Sequence, residues 1–344
     1  MVKNNIKAKP QLITIFLVTS VYNGGERLKK TLGSVAAQTN CNFVHYIYDD
    51  GSPCPSDEII KNYCQQVKKR THPYEVIYEK GFPNIGVDAA HRHCFQKCSG
   101  THICWLDQGD TLDPHFIEIL TKDIQKHSDC TWFHINSVSQ DLQGEVSKKP
   151  DSASFHIKNL SQKDQKPFVY SGHDFFYHLF VVNFSALIAH NPSLLIEDGH
   201  QNGGFFYDAQ IALIMATANE KMFFEKRALT QILIDPKSVA TSFQWDPQKM
   251  RQAAIRILTT LNFPKTDVTF YQDFQKFVED SLSLKTLALS HQKMKAKITW
   301  TNLRSFMKAH NFPSYYFVYR KRAHFFYRCS QDPLLLAFYR RLKP

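Results

Sequence analysis

The chain has 344 residues, a length that allows one large domain or two of medium size, and its 43% hydrophobic content can form a sizeable core. Eight cysteines in so long a chain exclude a small disulfide-linked scaffold, and no apolar run reaches the roughly 18 residues of a membrane span. The net charge of +11 falls almost entirely on residues 291–344, so the rest of the chain is close to neutral.

Apolar, β-branched segments alternate with amphipathic segments through the first 135 residues. The periodicity predicts helices after each of the first four strands, and it predicts strands at residues 12–18, 43–48, 74–78, 102–106 and 130–135. Strands that alternate with helices form parallel sheets through right-handed crossovers. We therefore expect an α/β fold with a mainly parallel central sheet.

The second half of the chain has a different pattern. Residues 136–166 are polar and irregular, which indicates a loop or lid, and residues 175–190 are apolar and strand-like. Residues 207–219 have helical spacing, and residues 222–234 are expected to be extended. From about residue 247 the pattern is mostly helical.

These patterns predict a division near residue 245. The first domain would cover residues 1–245, with halves at about 10–136 and 137–245. The second would be a helical, basic and aromatic region over residues 246–344.

Several predicted strands end in hydroxyl-bearing or acidic residues. Ser20 and Tyr22 follow the first strand, Asp50 ends the second, and Asp107 and Asp110 follow the fourth. Open α/β sheets bind ligands at the carboxyl ends of their strands. Acidic groups at such an edge commonly hold a divalent cation on substrate phosphates. A ligand crevice is the functional interpretation of these residues.

Two of these carboxylates also have a structural interpretation. The Asp50-Gly51-Ser52 run is typical of a turn that precedes a helix. Asp110 could cap a helix that starts before Leu112. Both alternatives stay open on sequence alone.

The order and spacing of three segments resemble the family-2 glycosyltransferases of GT-A fold. The first segment is residues 18–24 with 32–39, and the second is Tyr48-Asp49-Asp50-Gly51-Ser52. The third is residues 84–90 followed by Leu106-Asp107-Gln108-Gly109-Asp110 and Leu112-Asp113-Pro114. The resemblance is good to about residue 120, fair to about 240 and absent beyond.

The resemblance implies a site for a nucleotide-diphosphate sugar, with a nucleotide-binding half and an acceptor half. Ser20 and Tyr22 would flank the nucleobase, and Tyr22 offers a stacking face. Asp50 would accept a hydrogen bond from the base. Asp107 and Asp110, with Mg²⁺ or Mn²⁺, would support the diphosphate.

The sequence departs from the family at two points. Relatives end the fourth strand in Asp-X-Asp-Asp, and here Gly109 replaces the middle acid, which is commonly the direct metal ligand. Three hypotheses follow: Asp107 or Asp110 reaches the metal directly or through water, cationic side chains replace the metal, or the metal site is lost. Relatives also often carry Arg then Asn where this chain has His91 and Arg92. Arg92 can still offer a guanidinium fork to phosphate, and a surface salt bridge is the alternative.

The general base of the reaction is also expected by resemblance. Sugar transfer with inversion needs a base that takes the proton of the acceptor hydroxyl. Relatives supply it at the start of a helix in the second half of the domain, which here is Asp208. A helix cap is the alternative role for Asp208, and Glu197 and Asp198 are the other candidate bases. Lys237 is the candidate cation for the diphosphate in a later loop.

The C-terminal tail, residues 291–344, interleaves twelve Lys and Arg residues with aromatic residues and contains one acidic residue, Asp332. Such a mixture suits an anionic membrane surface. No recognisable nucleic-acid motif accompanies it, so no nucleic-acid partner is expected. A helical appendage that packs on the catalytic domain or forms an oligomer contact is the alternative.

Together these features predict an inverting glycosyltransferase that builds a surface glycan or acts on a polyprenyl-diphosphate-linked acceptor. No signal-peptide pattern follows Met1, so we expect a cytoplasmic protein, peripheral on the inner face of the cell membrane. The competing hypothesis, motivated by Gly109, is a GT-A domain that has lost catalysis and acts as a binding or scaffold subunit.

Overall fold

The computed structural model describes the chain in nine stretches. The chain divides into two compact units: Met1–Gln201 with Phe205–Gln244, and Asn202–Gly204 with Trp245–Pro344. The described residues are 13–53, 56–150, 168–171, 187–190, 221–235, 283–284, 287–309, 317–332 and 335–337.

In the first unit, strands and helices alternate as far as residue 126. The described elements are, in chain order, β1 (Ile15–Val21), α1 (Gly25–Ala36), β2 (Phe43–Asp49), α2 (Ser56–Lys68), β3 (Glu75–Lys80), α3 (Val87–Lys97), β4 (His102–Trp105), β5 (Thr111–Leu112), α4 (Phe116–Lys126), β6 (Trp132–Gln140), β7 (Val146–Pro150), β8 (Phe168–Ser171), β9 (Leu187–His190) and β10 (Lys221–Leu233).

The ten described strands form one sheet with a parallel half and a mixed half. Its order is β3-β2-β1-β4-β9-β6-β10-β5, with β7 paired to β6 and β8 paired to β10. Strands β3, β2, β1 and β4 are mutually parallel, so their carboxyl ends meet at one edge. Strand β9 runs antiparallel to both β4 and β6 and joins the two halves.

The core has two layers, one on each face of the sheet. Residues of α1, α2 and α4, including Leu32, Ile60 and Leu120, pack on one face. Residues of α3, including Cys94 and Phe95, pack on the other. Since both faces are covered, β1 is apolar along nearly its whole length rather than alternating.

The predicted α/β architecture is confirmed, and most elements lie within three residues of their predicted bounds. The expected loop over residues 136–166 was wrong at its start. Strand β6 runs to Gln140, and its last residues pair with β7, which ends at Pro150. The last three residues of β6 are only half-buried, so polar residues are tolerated there, and this part of the strand resembles a loop in sequence.

The described part of the second unit contains helices α5 (Lys293–Ala309) and α6 (Phe317–Gln331). The two helices pack antiparallel: the end of α6 lies beside the start of α5, where Gln331 Nε2 donates a hydrogen bond to Lys293 O at 3.2 Å. The Trp300 ring stacks on His324 and Tyr327, with centroids 5.2 and 5.5 Å apart. None of the helices in the described ranges is both long and apolar enough to cross a bilayer.

Helix α5 has an exposed apolar ridge on the side away from its buried residues. The ridge consists of Met294 and Ile298, which are 71% and 56% exposed. Ala296 and Leu303 are buried on the opposite side of the helix. The helix sequence contains five Lys and Arg residues and no acid.

Candidate functional site

The loops that follow β1, β2 and β4 are joined to one another at the carboxyl edge of the sheet. The Asp50 N–H donates to Val21 O at 2.8 Å, and the Leu106 N–H donates to Val18 O at 2.9 Å. The parallel register therefore continues past the strand ends. It brings Ser20, Asp50 and the segment after Leu106 to one edge, as the sequence predicted.

The loop after β1 is held by its backbone. The Tyr22 N–H donates to Gln108 Oε1 at 3.2 Å, and Gln108 Nε2 donates to Tyr22 O at 2.8 Å. The Asn23 N–H donates to Ser52 Oγ at 2.8 Å. The Tyr22 side chain is 49% exposed. A fixed backbone thus presents an open aromatic face at this edge.

Asp50 is buried and holds the loop that follows β3. Its Oδ1 accepts the Ile85 N–H at 2.9 Å, and its Oδ2 accepts the Gly86 N–H at 2.9 Å and Asn84 Nδ2 at 2.8 Å. Burial raises the pKa of Asp50, and the hydrogen bonds from Ile85 and Gly86 oppose that rise. A carboxylate has about four acceptor sites, so these three bonds leave room for one more donor.

The acidic segment, residues 107–110, carries its two carboxylates in different surroundings. The Asp107 side chain is 43% exposed. Asp110 is only 6% exposed, and its Oδ1 accepts the Leu233 N–H at 2.8 Å. Asp107 therefore faces the open edge, whereas Asp110 attaches the end of β10 to the acidic segment.

Gly109 is required by the backbone of the acidic segment. Its φ is +107°, a region that L-residues rarely adopt. A Cβ at this position would lie 2.7 Å from Leu233 Cδ2. Thr31 fixes the same turn, because its Oγ accepts the Gly109 N–H at 2.8 Å and donates to Asp110 O at 2.9 Å. The space that the side chain of the family's middle acid would occupy is therefore taken by Leu233, and Thr31 of α1 holds the backbone beside it.

His91 lies beneath the site, on α3. It is 1% exposed, and its Nε2 is 3.1 Å from Ser20 Oγ and 3.7 Å from Asp107 Oδ1. Arg92, the next residue, is half-buried and forms no ion pair within the described part of the chain. The helix therefore directs the histidine, and not the arginine, between two of the predicted site residues.

An ion pair fixes the end of β10 beside α1. Arg27 Nη1 donates to Asp235 Oδ2 at 2.8 Å, and the Asp235 side chain is 11% exposed. With the Asp110 contact to Leu233, this gives the segment 233–235 two attachments next to the acidic segment. Lys237 lies just beyond it, outside the described residues.

The predicted general base, Asp208, lies outside the residues that the structure describes, as do the alternative bases Glu197 and Asp198. Their roles stay predictions from the sequence.

The described residues fit a cation that is held mainly by its substrate. Within the described ranges, no group of three His, Cys, Asp or Glu residues could enclose a metal ion. Mg²⁺ is often bound by one or two carboxylates together with substrate phosphates, and the exposed Asp107 can supply one. Asp110 already bonds to Leu233, and the third position is glycine.

The sequence did not identify the structural roles of four residues that shape the site: Thr31, Gln108, Leu233 and His91. Each hydrogen bonds within the site to a residue that lies 71 to 123 positions away along the chain. The usable signal was the polar position Thr31 on the otherwise apolar face of α1. A buried hydroxyl on such a face indicates a partner outside the helix.

Residues 16–185 match the sequence model of Glycosyl transferase family 2. Glycosyltransferase GlyA of Streptococcus pneumoniae serotype 4 is 28% identical over 113 residues. That alignment covers 33% of this chain and 15% of the relative, so the chain spans only a small part of the relative's length.

Two solved structures share the fold over nearly the whole chain. The structure of residues 1–349 of S. aureus TarS in complex with UDP-GlcNAc aligns with a TM-score of 0.59 and 12% identity, covering 93% of this chain and 91% of that one. The same TarS segment in complex with UDP gives a TM-score of 0.56 and 12% identity, with 96% and 92% coverage. At this identity the likeness extends to the fold alone.

Proposed function

We propose that this chain, which carries a family 2 glycosyltransferase domain of GT-A fold over residues 16–185, transfers a sugar with inversion from a nucleotide-diphosphate sugar to a hydroxyl group. One arrangement carries the proposal. The open ring of Tyr22, the buried carboxylate of Asp50 and the exposed carboxylate of Asp107 follow three neighbouring parallel strands. This edge suits a base at one end and a diphosphate at the other.

The donor would bind along this edge. Tyr22 would stack on the nucleobase, and Ser20 would flank it. Asp50 would use its remaining acceptor site for a base N–H. The nucleotide sugar in the TarS complex supports this donor class. Arg92, half-buried on α3, would offer its guanidinium to the diphosphate.

A divalent cation, Mg²⁺ or Mn²⁺, would be held by Asp107 and the diphosphate, with Asp110 contributing through water. Such an ion neutralises the charge that develops on the leaving diphosphate. Asp107 would orient the diphosphate, while Asp110 and Thr31 keep the acidic segment in its turn.

Asp208 would act as the general base. It would take the proton of the acceptor hydroxyl as the hydroxyl oxygen forms a bond to the anomeric carbon. The bond from that carbon to the diphosphate oxygen breaks on the opposite face, so the configuration inverts. The products are the glycosylated acceptor and a nucleoside diphosphate.

The acceptor would be a growing surface glycan or a polyprenyl-diphosphate-linked precursor at the inner leaflet. The exposed ridge of α5 supports a membrane-bound acceptor, since Lys295 and Lys297 flank Met294 and Ile298 on a helix without acids. Such a helix gains binding energy from anionic headgroups and from apolar burial. The protein would then work on the cytoplasmic side as a peripheral protein.

Release of nucleoside diphosphate from UDP-, GDP- and dTDP-sugars, with and without Mn²⁺, tests the proposal. We expect Asp107→Asn to lower the rate by about 10²-fold and Asp208→Asn by about 10²- to 10⁴-fold. Asp141→Asn, in the turn between β6 and β7, is the matched control and should keep the wild-type rate.

The same assay separates the catalytic role from that of a binding or scaffold subunit. A wild-type protein that binds a nucleotide sugar but releases no nucleoside diphosphate under any metal condition would favour the scaffold. Full turnover in Asp208→Asn would remove the base assignment while leaving the donor site standing.

A further inference from the structure

His91 lies where the loops of three parallel strands meet. It is the fifth residue of α3 and is almost wholly buried. Its Nε2 faces Ser20 from the end of β1 and Asp107 from the loop after β4. It is also close enough to Asp50, after β2, to oppose the burial that raises the pKa of that carboxyl. The imidazole thus lies between Ser20 and Asp107, within electrostatic range of Asp50.

The two distances define what the ring does. The 3.1 Å separation from Ser20 Oγ is a hydrogen bond. The 3.7 Å separation from Asp107 Oδ1 is too long for one, but it is short enough for electrostatic attraction between the ring nitrogen and the carboxylate. The Nε2 atom of His91 lies beside two oxygens, one of them in a carboxylate, and this favours the tautomer that carries its hydrogen on Nε2. The Nε2–H group then directs its partial positive charge toward Asp107.

We infer that His91 is a positioning residue that orients the Asp107 carboxylate toward the cation and diphosphate of the donor. The inference rests on the proposed function. Asp107 is 43% exposed and is the one carboxylate of the acidic segment that faces the open edge. The rotamer of a ligating carboxylate is fixed by groups that hydrogen bond to it or attract it, and loss of such a group typically weakens metal binding by about 10- to 100-fold.

The inference explains why histidine can stand where relatives often have arginine. An arginine is long enough to reach a phosphate with its fork. An imidazole at this buried position stops at Ser20 and Asp107. The imidazole N–H of His91 therefore acts on the Asp107 carboxylate, which would hold the cation. Its effect on the diphosphate is indirect.

Calorimetric titration of the full chain with UDP, GDP, ADP and dTDP, each with and without Mn²⁺, tests the inference. We expect His91→Leu to weaken Mn²⁺-dependent binding by roughly 10-fold and to leave metal-free binding unchanged. His91→Gln carries an amide N–H of similar reach, so it should recover most of the loss. A purely structural role for the ring would not give this rescue.

Two further variants control for folding. Cys94→Ala removes packing from the same helix at a fully buried position that faces the core, and it should bind Mn²⁺ and nucleotide as the wild type does. If His91→Leu does not fold, Ser20→Ala replaces it. That change removes the oxygen that holds the ring, and it should weaken the Mn²⁺-dependent binding by a few-fold.

Three results would overturn the inference and leave the proposed function intact. They are wild-type Mn²⁺ dependence in a folded His91→Leu, a His91→Gln variant as weak as His91→Leu, and wild-type nucleotide binding that is indifferent to Mn²⁺. If the wild type binds none of the four nucleotides, the proposed function is wrong, and the inference that rests on it is wrong too.

Discussion

Gly109 stands between two acids because of the backbone conformation that it adopts. Its φ of +107° and the Leu233 side chain beside it leave no favourable place for a side chain. The turn lets the Gly109 N–H reach Thr31 and lets Asp110 reach the Leu233 N–H. At this scale the departure from Asp-X-Asp-Asp is a structural adaptation of the acidic segment, and it leaves Asp107 unaltered.

Restoring the family's acid should therefore harm the protein. We expect Gly109→Asp to lower the free energy of unfolding by about 1–3 kcal/mol, the usual cost of a strained backbone, and to reduce nucleotide affinity. Gly33→Ala is the matched control, because Gly33 lies inside α1 with open space around it, and it should stabilise the protein by about 0.5–1 kcal/mol. Urea melts measure both. Higher activity in Gly109→Asp would contradict this account.

A second residue with unusual surroundings is Asp123, on α4. Burial raises its pKa to about 7, and the neighbouring Glu225 carboxylate adds to the rise. Burial also acts on Glu225, but the hydrogen bonds from Arg227 at 2.7 and 2.9 Å lower the pKa of Glu225 overall. Below pH 7 and above the lowered pKa of Glu225, the pair is therefore a protonated Asp123 beside an ionised Glu225.

This pair gives stability a defined pH dependence. The pKa of Asp123 is higher in the folded state than its ordinary value of 3.8, so its contribution is greatest at low pH and declines as pH rises from about 4 to about 7. Asp123→Asn mimics the protonated form. We expect it to be more stable than the wild type at pH 8, and in thermal melts this gain in the free energy of unfolding should exceed the gain at pH 5 by at least about 1 kcal/mol.

The control for that measurement is Asp129→Asn, which removes an exposed carboxylate paired with Lys221. The pKa of Asp129 lies below its ordinary value, so it does not titrate between pH 5 and 8. Its effect should be the same at both values. A stability difference for Asp123→Asn that does not change with pH would refute the proposed protonation.

At the scale of elements, α1 acts as the support of the acidic segment. Three polar side chains, Thr31 and Ser34 on α1 and Gln38 just after its end, hydrogen bond to the backbone of residues 109–117. The helix and the residues that follow it thus fix the chain from the end of β4 to the start of α4. The position of Asp107 depends on this support as much as on its own strand.

Thr31→Val tests the support. Valine keeps the shape but leaves the Gly109 N–H and the Asp110 carbonyl without the hydroxyl, which costs about 1–3 kcal/mol for buried groups. We expect lower stability together with weaker nucleotide binding. Thr121→Val is matched to it, because within the described residues the Thr121 hydroxyl bonds only to Ile117 O in its own helix. Equal losses in the two variants would show that Thr31 has no special link to the site.

At the scale of the whole molecule, the sequence predicted what depends on alternation along the chain. The strands, the parallel half of the sheet and the placement of Asp50 and Asp107 at one edge all follow from short-range patterns. The contacts of Gln108 with Tyr22, of His91 with Ser20 and of Asp110 with Leu233 join residues that are distant in sequence. No local pattern encodes such pairs, so their roles emerged only from the packed chain.

The proposed membrane association would be a property of the whole protein, and the ridge of α5 allows it to be tested. We expect the double variant Met294→Ser and Ile298→Ser to weaken binding to anionic liposomes by about 30-fold in sedimentation assays, since two apolar side chains that each contribute about 1 kcal/mol are lost. Leu142→Ser removes another exposed apolar residue, from the turn after β6, and should bind as the wild type does. Unchanged liposome binding with a change in oligomeric state would favour an oligomer contact instead.

The double hydrogen bond between Gln108 and Tyr22 has a consequence for how the proposed donor site can diversify. Both bonds end on backbone atoms of position 22, so its side chain takes no part in holding the loop. The residue that would meet the nucleobase can therefore be exchanged during evolution without disturbing the loop. At this position the side chain would set the donor preference, whereas the backbone holds the loop. Selection could therefore alter the donor preference without loosening the loop.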